Sequence, residues 1–281
     1  VTSAQRKLAG ISLVVITFIV LCVYVFSHPE IFSTLLRVSP FALMAILFLY
    51  FMVIGIHFSV MHATIRLCDM HLPLKKGMLL TAYSTLVNFF GPLQSGPGVR
   101  AVYLKRTIGL RVRDYTMVTL LYYFIYAAIS GSLLFAYISP PLTFLGWIVG
   151  AIAAVVGVRW WRPSSSYKWM LALVGMTVVQ VLLLSAIYYI ELHATGLEVQ
   201  YSYAQVLVYT GSANLSLFVS ITPGAIGIRE AFLVLSQSLH HIPVASIVAA
   251  SIVDRSMYVV LLALLLVATS GTHLRDMFTR K

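Results

Sequence analysis

Six stretches of this chain are uninterrupted, apolar and long enough to cross a bilayer. They run over about Leu8–Phe26, Pro40–Met61, Tyr115–Tyr137, Leu142–Val158, Trp169–Ile190 and Val244–Thr269. A hydrocarbon core about 30 Å thick needs about 20 apolar residues in a helix. With no water there to satisfy the backbone, only helices and closed barrels can span it. None of the stretches alternates as a barrel strand would, so the chain reads as an all-α polytopic membrane protein. Its composition agrees, with 60% of residues hydrophobic and only 10% charged, against about 25% charged in a soluble domain. That balance excludes a soluble enzyme, a disordered chain and a disulfide scaffold. The first stretch lacks a small-residue cleavage site and reads as a retained anchor.

Two further segments are apolar but broken. Met78–Leu104 is interrupted by Gly91-Pro92 and Gly96-Pro97-Gly98, and Ala204–Leu239 by Thr222-Pro223-Gly224 and Gly227. Proline removes a backbone donor and stops a helix, and glycine relaxes the chain. At membrane depth such breaks are tolerated only inside protein or along a wet cavity.

Charge decides how the broken segments sit. The expected loop 62–77 carries Arg66, Lys75 and Lys76, and the expected loop 101–114 carries Lys105, Arg106, Arg111 and Arg113. Both flanks of the first broken segment are therefore expected in the cytoplasm, which makes it a re-entrant hairpin over about 78–113. The second, over about 204–241, lies between Glu191/Glu198 and His240-His241 and is expected to enter from the outer face. Of 19 Lys and Arg, this layout places 15 inside, Arg37 outside, and Arg100, Arg229 and Arg255 at membrane depth. Both termini come out cytoplasmic. The net charge of +11 is then a topology signal and a contact with anionic head groups, not a nucleic-acid footprint. Cys22 and Cys68 fall on opposite faces, so no bridge is expected.

An internal repeat supports the layout. Gly98-Val99-Arg100 recurs as Gly227-Ile228-Arg229, an offset of 129 residues. The same offset carries Pro40 to Trp169 and Tyr115 to Val244, both starts of spans. Within 81–110, seven of thirty positions are identical at that offset. The chain thus reads as a single membrane domain, 1–281, of two halves, about 1–138 and 139–281. An odd number of crossings in each half makes the halves inverted, and the hairpins oppositely oriented. Many secondary transporters are built so, with the site where the broken helices meet.

The hairpin motifs carry the chemistry. Free N–H groups and the dipole at a helix start attract anions. Gly96 and Gly98 allow close backbone approach, and Arg100 in the first turn is placed to fork onto a phosphate. The bland alternative is a hairpin tip with Arg100 snorkelling to the interface. The second motif repeats the design with Gly224, Gly227 and Arg229 and adds Glu230. Neighbours on a helix do not face each other, so Glu230 is expected to pair with Arg100 or Arg255, not Arg229. It would neutralise an arginine or carry a coupling proton. Asp254 and Arg255, near the middle of the last span, are read equally as substrate contacts or as a pair tying that helix to a hairpin. These five charges sum to +1, which suits a phosphate group. Asn88 and Asn214 would bind ligand or bridge helices. Tyr122, Tyr123 and Tyr126 read as packing before cavity lining. His57 and His62 have poor ligand spacing, and no metal or cofactor is expected.

In these two motifs the chain resembles the lysylphosphatidylglycerol synthase transmembrane-region family of flippase-like membrane proteins. The residues that carry the resemblance are Asn88, Pro92 and Gly96-Pro97-Gly98-Val99-Arg100 in the first half. In the second they are Pro223-Gly224-Ala225-Ile226-Gly227-Ile228-Arg229-Glu230, similar to a Pro-x-Gly-x-Gly-x-x-Glu pattern, followed by Asp254-Arg255. The resemblance implies movement of an anionic phospholipid or polyprenyl-phosphate lipid between leaflets of a prokaryotic cytoplasmic membrane. It also implies a partnership with a lipid-modifying or glycosyl transferase. No enzyme signature is present, and no soluble stretch is large enough to bind a nucleotide. The alternatives are a secondary transporter of a small soluble anion and a non-transporting partner of a cell-envelope glycosyltransferase.

Overall fold

The computed structural model describes residues 38–90, 95–161, 167–194, 200–219, 225 and 227–279. The expected first span, Arg37 and Gly224 lie outside the described residues. Helices dominate: α1 Pro40–Leu67, α2 Leu74–Phe90, α3 Gly96–Ile108, α4 Val112–Ser132, α5 Pro140–Trp161, α6 Tyr167–Ala194, α7 Tyr203–Ser216, α8 Ile228–Leu235, α9 Gln237–His240 and α10 Val244–Thr279. Five stretches among the described residues are long and apolar enough to cross a membrane: Pro40–Leu67, Val112–Phe135, Pro140–Gly157, Tyr167–Ala194 and Val244–Ser270. They correspond to the second to sixth expected spans.

Local chemistry sets the helix ends. Ser39 caps α1, its Oγ accepting from Ala42 N at 3.2 Å, with Pro40 in the first turn. Proline is tolerated there because the first turn's N–H groups have no helical partner. A capping box starts α7: Gln205 N donates to Ser202 Oγ at 3.3 Å, and Ser202 N donates to Gln205 Oε1 at 3.0 Å. Gly109, at φ 71°, closes α3, a left-handed turn that glycine enters without a Cβ penalty. The basic stretches expected as loops are partly helical. Arg66 lies in the last turn of α1 and Lys105 and Arg106 in the last turn of α3. Cations there complement the carbonyl end of the helix.

The four helices of the broken segments are short. At 1.5 Å per residue, α2, α3, α7 and α8 extend about 26, 20, 21 and 12 Å. All fall below the hydrocarbon thickness of about 30 Å. Within each broken segment the two arms pack on one another, α2 on α3 and α7 on α8.

Two apolar clusters organise the interior. One joins Val60–Leu67 at the end of α1 to Met170 and Leu173 at the start of α6, with Leu104 of α3 and Ile125 and Ile129 of α4. The other joins Ile46 and Tyr50 near the start of α1 to Ile187 and Leu192 near the end of α6, with Tyr209, Leu233 and Val253. The end of one helix meets the start of the other in both clusters, so α1 and α6 run antiparallel. The hairpins exchange partners: α2 packs on α10, and α7 packs on α4. Outward, Phe41 (82% exposed), Met44 and Phe48 make a stripe on α1, and Leu145, Ile148, Ile152 and Val156 make one on α5. Apolar faces of this size belong in contact with lipid. The chain is an integral membrane protein.

Candidate functional site

The second hairpin is held by two adjacent ion pairs. Arg229 Nη1 donates to Asp254 Oδ2. Arg255 donates to Glu230 Oε1 from Nε at 3.1 Å and from Nη2 at 2.5 Å. Neighbours on α8 thus take neighbours on α10, and Glu230 pairs with Arg255 of the two partners the sequence allowed. The Glu230 carboxylate also accepts from Gly227 N at 2.8 Å, so one side chain caps α8 and anchors it. Arg229 is 9% and Asp254 5% exposed, where breaking a pair leaves an uncompensated charge. The Tyr50 hydroxyl donates to Asp254 Oδ1, and the Arg229 guanidinium lies 5.0 Å from the centre of the Tyr188 ring, within cation–π range.

The first hairpin is built differently. Arg100 Nε donates to Ser84 Oγ at 2.6 Å, across the two arms, and the Tyr115 hydroxyl also lies within hydrogen-bonding reach of Arg100. Among the described residues no carboxylate pairs with Arg100. Its guanidinium borders a cavity of about 30 Å³ whose polar lining comes from His57, Thr64, Tyr115, Thr119, Tyr122 and Tyr123. Tyr122 and Tyr123, read from the sequence as packing first, line this cavity. Behind it, the Tyr122 hydroxyl donates to Gln180 Oε1 at 2.9 Å, and Gln180 Nε2 lies 3.2 Å from His57 Nε2. An amide nitrogen only donates, so His57 Nε2 accepts and the ring proton sits on Nδ1.

The remaining motif residues fall into separate roles. Asn88 Oδ1 accepts from Gly96 N at 3.3 Å, joining the hairpin's arms. A Cβ on Gly96 would lie 2.7 Å from Ser84 O, whereas one on Gly98 would meet nothing within 4 Å. Close approach is therefore a property of Gly96 and not of Gly98. Gly227 sits at φ 79° and Ala225 at φ 57°, so left-handed backbone precedes α8. In the Pro-x-Gly-x-Gly-x-x-Glu pattern Ala225 stands at the first glycine. Asn214 is buried and donates from Nδ2 to Ser130 Oγ at 3.2 Å, bridging α7 to α4. His240 ends the hairpin in one tautomer: Nε2 donates to Leu233 O at 3.0 Å and Nδ1 accepts from Ile242 N at 3.1 Å. Burial holds this imidazole below the ordinary histidine value, opposed by the Leu233 bond and aided by His241.

A match to the lysylphosphatidylglycerol synthase TM region spans residues 8–265. The chain belongs to this family. No match was found among curated proteins. The stretch matched contains both broken segments and the Asp254-Arg255 pair. Two details escaped the sequence reading. Glu191 was expected on the outer flank of the second hairpin, yet it is fully buried. The reason is that α6 runs to Ala194, one turn past the expected end at Ile190. Gln180, an amide within an apolar span, went unread although it joins His57 and Tyr122, both noted in the sequence, in the network behind the Arg100 cavity.

Proposed function

We propose that this protein is a flippase-like lipid transporter, and not an enzyme, that moves an anionic phospholipid or polyprenyl-phosphate lipid between leaflets. The observation that carries the reading is Arg100. Of the three deep arginines, Arg229 and Arg255 are matched by Asp254 and Glu230, whereas Arg100 has no carboxylate partner among the described residues and borders a cavity whose lining includes the hydroxyls of Thr64, Tyr115, Thr119, Tyr122 and Tyr123. A guanidinium so placed suits a phosphate, to which it can give two parallel hydrogen bonds. The net +1 of the five deep charges then resides at Arg100. Arg229 would take the phosphate second, by exchange with Asp254, as the head group passes from one hairpin to the other. Asn88, Gly96, Gly227, Glu230 and Arg255 hold the hairpins in shape for this exchange.

Family membership supports a lipid-related role. The antiparallel pairing of α1 with α6 and the exchanged packing of α2 on α10 and α7 on α4 support two inverted halves with re-entrant hairpins. We place the protein in a prokaryotic cytoplasmic membrane with both termini in the cytoplasm, supplying or clearing lipid for a head-group or glycosyl transferase.

The test is lipid exchange by the purified chain in phosphatidylcholine liposomes doped with fluorescent phosphatidylglycerol, read by a membrane-impermeant quencher. Losing one charge-assisted hydrogen-bonding group costs about 1.5–3 kcal/mol. Arg100→Ala should thus slow exchange roughly 10–100-fold, since 1.4 kcal/mol is tenfold, and Arg100→Lys should slow it less. Uptake of radiolabelled inorganic phosphate is the second arm. Phosphate uptake without lipid exchange would assign the site to a soluble anion, and an Arg100→Ala protein exchanging lipid at the wild-type rate would overturn the reading.

A further inference from the structure

Glu191 lies one turn from the end of α6 and is 0% exposed. Neither of its carboxyl oxygens meets a hydrogen-bond donor among the described residues, and the side chain within hydrogen-bonding reach is a second carboxyl. A buried carboxylate without a donor is costly, and a second carboxylate beside it raises the cost. That second carboxylate is Asp254, which faces Glu191 from α10. Asp254 already holds its donors, Arg229 Nη1 on one oxygen and the Tyr50 hydroxyl on the other. Arg229 faces Glu191 as well, from α8, but its Nε and Nη2 have no partner among the described residues. The other titratable groups facing Glu191 are Tyr50 of α1, Tyr188 of α6 and Tyr209 of α7. None of them brings a positive charge. Two carboxylates therefore compete for a single guanidinium.

We propose that Glu191 and Asp254 form a proton-binding site that holds a single proton, carried by Glu191 beside the Arg229–Asp254 ion pair. With the proton in place, Asp254 and Arg229 cancel, Glu191 is neutral, and the cluster carries no net charge. When the Glu191 O–H bond breaks and the proton passes to water, two negative charges face one positive. Arg229 then has reason to turn its unpaired Nε and Nη2 towards Glu191. The proton thus selects whether the second hairpin is tied to α10 alone or to α10 and α6 together. The inference goes beyond the lipid reading and does not depend on it, because it requires no transported molecule.

Infrared difference spectroscopy of the full chain in phosphatidylcholine nanodiscs, stepped across pH, tests it. The wild-type chain should show the C=O stretch of a protonated carboxyl at neutral pH, titrating as one proton per chain. Incorporation of ¹³C-labelled glutamate should shift that band, which assigns it without any substitution. Glu191→Gln should remove it. Asp254→Asn should remove it too, because Arg229 is then released to Glu191, which ionises. Absence of the band in the wild-type chain, failure of the glutamate label to shift it, or its survival in either folded variant would overturn the proposal.

Discussion

A methyl group added at Gly96 would enter the contact between the arms of the first hairpin, 2.7 Å from Ser84 O and 3.0 Å from the Asn88 side chain. The obstacle at Ser84 is backbone and cannot swing aside, so the arms would have to part, straining the Gly96–Asn88 and Arg100–Ser84 hydrogen bonds. Overpacking of this kind costs about 1–3 kcal/mol. Gly96→Ala should lower the thermal midpoint of the detergent-solubilised chain by a corresponding amount. Gly98→Ala, entering open space, should stay within about 0.5 kcal/mol of wild type. Equal shifts in the two variants would show that the close approach is not made at Gly96. Both glycines were visible in the sequence, but spacing alone could not say which faces the other arm. Arg100 stood out because a charge in an apolar segment is expensive. Its partner Ser84 did not stand out, since a serine in an apolar helix usually bonds its own backbone.

At the scale of elements, α8 is the piece that depends most on others. Its eight residues are too few for a helix to persist on its own, and it begins after left-handed turns at Ala225 and Gly227. What fixes it is the double ion pair to α10, whose Arg255 and Glu230 side chains are only 14% and 22% exposed. Removing one member of a buried pair costs about 3–5 kcal/mol, and Arg255→Leu should fall near the lower end because Glu230 keeps its bond to Gly227 N. Adding Glu230→Leu to Arg255→Leu should cost less than the two single changes summed, by about 0.5–3 kcal/mol, in denaturant unfolding of the solubilised chain. Strict additivity would mean that the pair does not couple α8 to α10. The charges themselves were legible because they interrupt apolar sequence. Their pairing was narrowed by helix geometry, which forbids Glu230 from facing Arg229, but choosing Arg255 over Arg100 needed the packing of α8 on α10. Helix ends were the least legible feature, as they depend on capping within a residue or two. One extra turn of α6 is what moved Glu191 from an outer flank into the interior.

The whole molecule turns on whether the broken segments return to the face they enter. Arms of about 26 and 20 Å in the first and 21 and 12 Å in the second are each too short to cross about 30 Å of hydrocarbon. As two arms packed side by side they can dip into the protein interior and come back. The basic residues flanking the first hairpin would then share the cytoplasmic face, while the second hairpin's flanks would share the other. If either segment crossed instead, its two flanks would lie on opposite faces and every later loop would change sides. Exposed positions at the four flanks decide the matter: His71 and Thr107 for the first hairpin, Gln200 and Val244 for the second. In a chain with Cys22 and Cys68 replaced by serine, His71→Cys and Thr107→Cys should both be blocked by a membrane-impermeant maleimide only from the cytoplasmic side. Gln200→Cys and Val244→Cys should both be blocked only from the opposite side. The labelling should be close to all-or-none, because the polar flanks of such a hairpin do not cross the bilayer on the timescale of the reaction. Opposite accessibility within either pair would replace that hairpin by a span and remove the two opposed hairpins on which passage of a head group between the two tips depends.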